Sequence, residues 1–223
     1  MLHPRTGFAR PAGTSLALVL LSASLGFGFE AAATTVRGLS LYEKSEVAES
    51  IVRAEVLAVS VGWAQEGQSA RTLVSLQVKE SLKGKLKVGE TFVLLQAGGK
   101  IGDFEHRIPG MSAFAPGEEA ILFLEPYQNF HVEIGIGIGK YGIQSDPSGS
   151  KVVTHDPKVA LVTYGKDGAT QIADAQPMSP ELVDKFLARL RNYVSGVRKP
   201  PAAPDDPPGS RPTRAPAQSS GKK

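Results

Sequence analysis

The sequence predicts a mainly β fold: a small OB-like β-barrel with a C-terminal α-helix, with a β-sandwich as the alternative. Three observations carry this. Short runs rich in Val, Ile and Leu alternate with turns marked by Gly and Pro, the pattern of short strands joined by tight connections. Gly135, Gly137, Gly139 and Gly142 lie close together; alternate glycines leave one strand face bare and permit sharp coiling, which favours the barrel. One amphipathic helix then closes the region over 179–195.

The elements follow in order. Ser40 to Ser50 has a short helical look, with Leu41, Val47 and Ala48 spaced by charges. Ile51 to Val61 is rich in β-branched residues and reads as a long strand. Gly62 to Ala70 reads as a loop that holds the single tryptophan, Trp63. Arg71 to Glu80 alternates with a period of two and predicts a second strand. Ser81 to Gly89 is a turn-rich connection, and Glu90 to Ala97 a third strand ended by Gly98-Gly99. Ile101 to His106 is a short strand, followed by turns at Pro109-Gly110 and Pro116-Gly117. The apolar run Glu119 to Glu125, bounded by charge and by Pro126, fits a buried central strand. His131 to Gly135 and Gly137 to Gln144 give further strands. Asp146-Pro147-Ser148-Gly149 is a turn. Lys151 to Thr154 and Val159 to Tyr164 are short strands, and Lys166-Asp167-Gly168 turns afterwards. Ser179 is the expected N-cap of the closing helix, with Pro180 at its first position. Leu182, Phe186, Leu187, Leu190, Tyr193 and Val194 form its apolar stripe.

The two ends differ from this body. Arg5 and Arg10 precede an uncharged, mostly apolar stretch, Leu16 to Phe29, too short for a bilayer, which takes about 20 residues. Small residues follow at Ala31-Ala32-Ala33, so residues 1–33 read as a signal peptide cleaved near Ala33. The expected location is periplasmic or extracellular, with no transmembrane segment after cleavage. Residues 198–223 hold seven prolines and almost no large apolar side chain. Such a segment buries too little to offset ordering entropy, and a disordered Pro-rich tail is expected. Residues 34–197 between them form a single mainly β domain.

Charge sorts the partners. The chain is +3 overall, but the tail carries +4 and residues 34–197 carry −2. The basic balance thus belongs to the ends, and a nucleic-acid-binding body is not indicated. The tail is suited to contact anionic surfaces. The absence of cysteine excludes disulfides, thiolate metal sites, a Cys nucleophile and lipid attachment through an N-terminal Cys.

Motifs for chemistry fail on context. Residues 137–142 match GxGxxG, but a dinucleotide site needs a helix N-terminus next, and Asp146-Pro147 turns instead. No GxSxG occurs, and residues 110–114 (GMSAF) lack the second glycine of a nucleophile elbow. His106, His131 and His155 have no helical metal-ligand spacing, although convergence in space, with Glu133 two residues from His131 on one strand face, would make a metal-dependent hydrolase the alternative reading. Lys79, Lys83, Lys85 and Lys87 form the densest basic cluster of the body and read as a solvated connection. No cofactor, catalytic or metal site is predicted.

Residues 48–56 (AESIVRAEV), 73–84 (LVSLQVKESLKG), Gly98-Gly99, Pro109-Gly110 and 116–124 (PGEEAILFL) occur in an order that resembles uncharacterised secreted bacterial β-domain proteins. In broad outline it is similar to netrin-like and metalloproteinase-inhibitor domains. The resemblance implies a β-barrel module at the envelope or outside the cell. Those domains lean on cysteines, so inhibitor function does not carry over.

The expectation is an exported, non-enzymatic binding or accessory module whose partner is an envelope or extracellular protein or glycan. A structural envelope protein tethered by its basic tail is a further alternative. The candidate binding loops are those of Trp63 and of Gly98, Gly99, Phe104, His106 and Phe114, because loops on a rigid scaffold carry function.

Overall fold

The structure is a computed structural model and describes residues 35–65, 67–164 and 170–197. The expected signal peptide, the tail and the turn at 166–168 lie outside the described residues. The chain is mainly β and has a C-terminal helix.

Five strands close into a ring. They are β2 (Ser50–Gln65), β3 (Ser69–Lys83), β4 (Thr91–Ala97), β7 (Glu119–Tyr127) and β8 (Phe130–Glu133), in the order β7-β2-β3-β4-β8 with β8 returning to β7. All contacts are antiparallel except β4–β8, a parallel pair with one bridge, Leu94 to His131. Register shifts interrupt the long β2–β3 pair at four places, including Val56/Ala58 and Trp63/Gln65. Each extra residue bends and twists the strand, which lets so long a pair curl with the ring.

Two hairpin strands, β5 (Gly99–Ile101) and β6 (Phe104–His106), fold back on the β2–β3 ribbon. Outside the ring, β9 (Lys140–Ser145) pairs with the first half of β7, on the edge that β8 occupies from Leu124 onward, followed by β10 (Lys151–Thr154) and β13 (Glu181–Leu182). A separate three-stranded sheet holds β1 (Thr35–Arg37), β11 (Ala160–Tyr164) and β12 (Thr170–Asp174).

The apolar run of β7 is continuous because both of its faces are buried. Ala120, Leu122 and Leu124 point into the ring with Val52, Val56, Val74, Leu76 and Leu94. Ile121 and Phe123 point the other way, to Tyr141, Val153 and the helices. The second core is covered by α1 (Leu41–Val47) and α2 (Val183–Val194). A fully buried side chain of this size contributes roughly 1.5–3 kcal/mol relative to exposure. β7 is therefore a shared wall, and a two-layer aspect coexists with the ring.

Local signals explain the helices. Ser40 and Glu43 form a reciprocal capping box at the start of α1, with Ser40 N–H donating to Glu43 at 2.9 Å. Lys83 donates to the carbonyls of Ser45 and Glu46 at 2.8 and 3.0 Å, where a cation suits the helix C-terminus. That corrects the reading of Ser81 to Gly89 as a connection: β3 continues to Lys83, whereas Lys85 and Lys87 lie in the connection as expected, and Lys79, within the expected strand, pairs with Glu55.

Other expectations also change. Trp63 lies on β2 and not in a loop. The closing helix starts at Val183, not at Pro180, because Glu181 and Leu182 pair with Val153 and Val152 of β10. Leu182 accordingly leaves the apolar stripe and Val183 enters it. The glycines at 135 and 137 do not coil a strand. They have φ of +61° and +70° and form a tight turn before β9.

Candidate functional site

Inward-facing side chains follow the ladder register. Val59 faces Val74, which faces Leu94; one step further out, Val61 faces Thr72, which faces Gln96. The inner wall thus passes from a closed apolar core to a mouth lined by Val59, Val61, Thr72 and Gln96. Here a cavity of about 750 Å³ opens, lined also by Gly98, Gly99, His106, Met111 and Phe114. Mouths of β-rings are a usual place for ligands.

The β5–β6 hairpin makes one side of the mouth, and glycine makes its close approach possible. A Cβ on Gly99 would stand 2.4 Å from Val61 Cγ1, and one on Gly98 would stand 2.5 Å from the His106 carbonyl oxygen. Thr72 donates to the Gly98 carbonyl at 2.8 Å. Trp63 and Phe104 pack against each other with ring centroids 4.9 Å apart. They brace the hairpin and do not line the cavity, whereas Gly98, Gly99, His106 and Phe114 do. A second cavity of about 430 Å³ shares Gln96, Ala97 and His106 with the first and adds Tyr127, Phe130 and Val132. His106 therefore stands between the two, and its Nδ1 is buried without a hydrogen-bond partner.

The other side is the segment 107–118, a strap that crosses the mouth without strand pairing. Its Phe114 packs on the ring core. Its Ser112 is held twice: Gln96 donates from Nε2 to the Ser112 carbonyl at 3.0 Å, and the Ser112 hydroxyl donates to Glu133 Oε1 at 3.0 Å. Lys140 donates to the Ala113 carbonyl, lies 4.3 Å from the Phe114 ring centroid and pairs with Glu118 at 2.5 Å.

Sequence reasoning missed Gln96 and Lys140 as site residues; it weighed Glu133 only as a metal-ligand neighbour of His131 and Ser112 only in the rejected elbow motif. Glu133 and Gln96 occupy inward positions in otherwise apolar alternation, a signal visible only once the strand faces are known.

The histidines serve three separate places. His131 packs edge-on to Phe92 with centroids 5.3 Å apart, and burial lowers its pKa. His155 stacks on Tyr141 at 4.1 Å, and its Nδ1 lies 2.8 Å from the Lys140 carbonyl oxygen. Burial, assisted by the Lys44 charge, pushes the His155 pKa down to about 3. Among the described residues, no group of three His, Asp or Glu could hold a metal ion. The structure thus does not bring His106, His131 and His155 together as the hydrolase alternative requires. The GxGxxG match leads into β9, not into a helix. Among the described residues, no helix is long and apolar enough to cross a membrane. No family model matches the chain, and no curated protein matches it.

Proposed function

We propose that the chain is an exported binding or accessory module that receives its ligand in the mouth of the five-stranded ring, without a catalytic step. One observation carries the reading. The segment Gly98 to Phe114, singled out as a contact surface on sequence grounds, forms with β2, β3 and β4 a cavity of about 750 Å³. Its walls combine apolar side chains with a few convergent polar groups, Thr72, Gln96 and His106. That is the usual make-up of a recognition site: the apolar area supplies affinity and the polar groups supply orientation.

The ligand belongs to the envelope or the extracellular space, in keeping with the leader expected at residues 1–33. Affinity capture with the full chain from envelope and secreted fractions tests the reading. Wild type should retain a reproducible protein or glycan. Met111→Glu, which places a charge in the cavity wall, should lose it while the circular dichroism spectrum stays unchanged. Equal retention by both forms would overturn the assignment of the mouth.

A further inference from the structure

Glu133 is buried, with 8% of its surface exposed. Its Oε1 receives hydrogen bonds from two loops: the Ser112 hydroxyl at 3.0 Å and the Gly139 N–H at 2.9 Å. Its Oε2 is buried and has no partner. The carboxylate therefore ties the strap to the glycine turn before β9, beside the thinnest seam of the ring. The strap is bracketed by Gly110 and Gly117, with φ of +83° and +81°, and carries Ser112 between them.

We propose that uptake of a proton by Glu133 latches the strap that walls the cavity, so that the strap is held in place on acidification and loosens as pH rises. This rests on the reading of the mouth as the ligand site and adds its regulation. Seating the strap removes water from the carboxylate; loosening restores it. A proton therefore binds the seated form more tightly, and by linkage acid favours seating. The open Oε2 can take the proton without displacing either bond on Oε1.

The surrounding groups fit this direction. Burial raises the Glu133 pKa to about 6, against smaller opposing effects of Ser112, Gly139 and Lys140. Lys140 on β9 is the charged side chain acting on it, and Lys140 is itself paired with Glu118 of the strap. Gln96 of β4 and Leu124 of β7 carry no charge. On β8 itself, His131 packs against Phe92. His155, against the Lys140 carbonyl, stays neutral down to about pH 3. The gap between about 6 and the ordinary 4.5 limits the effect to about 30-fold in the seated-to-loose ratio.

Amide hydrogen exchange of the full chain between pH 4.5 and 7.5, corrected for intrinsic rates, tests the latch. Protection of amides in 107–118 should fall by up to about 30-fold as pH rises through about 6, while amides of β2 and β7 do not follow that midpoint. Glu133→Gln, which is uncharged at every pH, should hold the strap in place and flatten the profile. A flat wild-type profile, or an unchanged slope in Glu133→Gln, would overturn the proposal. Should that variant not fold, the wild-type profile read beside the Glu133 carboxyl carbon titration decides it, since the two midpoints must coincide. No ligand is present in this experiment. Its failure rejects the latch alone, whereas equal capture by wild type and Met111→Glu rejects the mouth as the binding site.

Discussion

Ser112 donates its hydroxyl to Glu133 Oε1 at 3.0 Å, and that bond takes over where the ring's own pairing stops. β4 and β8 share one bridge, at Leu94 and His131. Two residues further along each strand stand Gln96 and Glu133, and both hold Ser112. Side chains thus seal the end of the ring that the backbone ladder leaves open. The same contacts position the strap that walls the cavity.

Ser112→Ala removes the hydroxyl and leaves Glu133 Oε1 with the Gly139 N–H as its remaining donor. Hydrogen bonds to charged groups contribute about 1.5–3 kcal/mol. Urea denaturation at pH 7 should show a loss in that range. A change under about 0.5 kcal/mol would mean that the bond does not hold the strap.

His155 contributes to the acid sensitivity of the fold. Its folded pKa is depressed from 6.5 to about 3. It therefore contributes stability that is fully present above about pH 6.5 and lost progressively as pH falls towards 3, because only the unfolded chain gains the proton in that window. The ceiling is about 4–5 kcal/mol. Glu133, with a raised folded pKa, works in the opposite sense: it stabilises below 4.5 and loses that effect as pH rises through about 6, worth about 2 kcal/mol at most. The histidine wins, so stability should drop on acidification below pH 6.5. His155→Phe keeps an aromatic ring on Tyr141 and should remove most of that slope. Parallel denaturation profiles for the two proteins would contradict this.

Gly137→Ala should destabilise by about 1–3 kcal/mol or more. The position has φ of +70°, and a Cβ there would lie 2.0 Å from the Gly110 carbonyl oxygen. The clash pushes the glycine turn away from the start of the strap. Thermal denaturation together with strap exchange at pH 7 checks it: a wild-type melting temperature would show that the two loops do not rely on this approach.

Phe186→Ala tests whether α2 is integral to the fold. Phe186 is fully buried and lies 5.1 Å, centroid to centroid, from Tyr141. Truncations of this kind cost about 3–5 kcal/mol. A loss near 1 kcal/mol would mean that the helix only rests on the sheet.

Much of the fold was legible in the sequence because strand periodicity is a local property. The alternation in β3, the apolar run of β7 and the short β10 were each readable from their own residues. Long-range pairing was not. Pro180 at an apparent helix start lost to the pairing of Glu181 and Leu182 with β10. Trp63 looked like a loop residue because Gly62 precedes it, yet β2 runs on to Gln65 against β3. The glycines at 135 and 137 imitated a bare strand because φ cannot be read from residue type alone. In the candidate site, the 98–114 segment was legible as loop-rich chain through its turn residues, and the structure sets Gly98, Gly99, His106 and Phe114 along one cavity. Gln96 was missed, and the joint role of Glu133 and Ser112 was not legible, because their meeting joins β8, β4 and the strap across the ring.

The most direct test of ligand binding in the mouth is site-specific photocrosslinking in envelope extracts. One photoreactive residue replaces Met111 in the cavity wall. Another replaces Ile172, 66% exposed on β12 of the separate sheet. The account predicts a discrete adduct by mass at position 111 and none at position 172. An adduct at 172 with none at 111 would contradict it and move the contact surface to the three-stranded sheet.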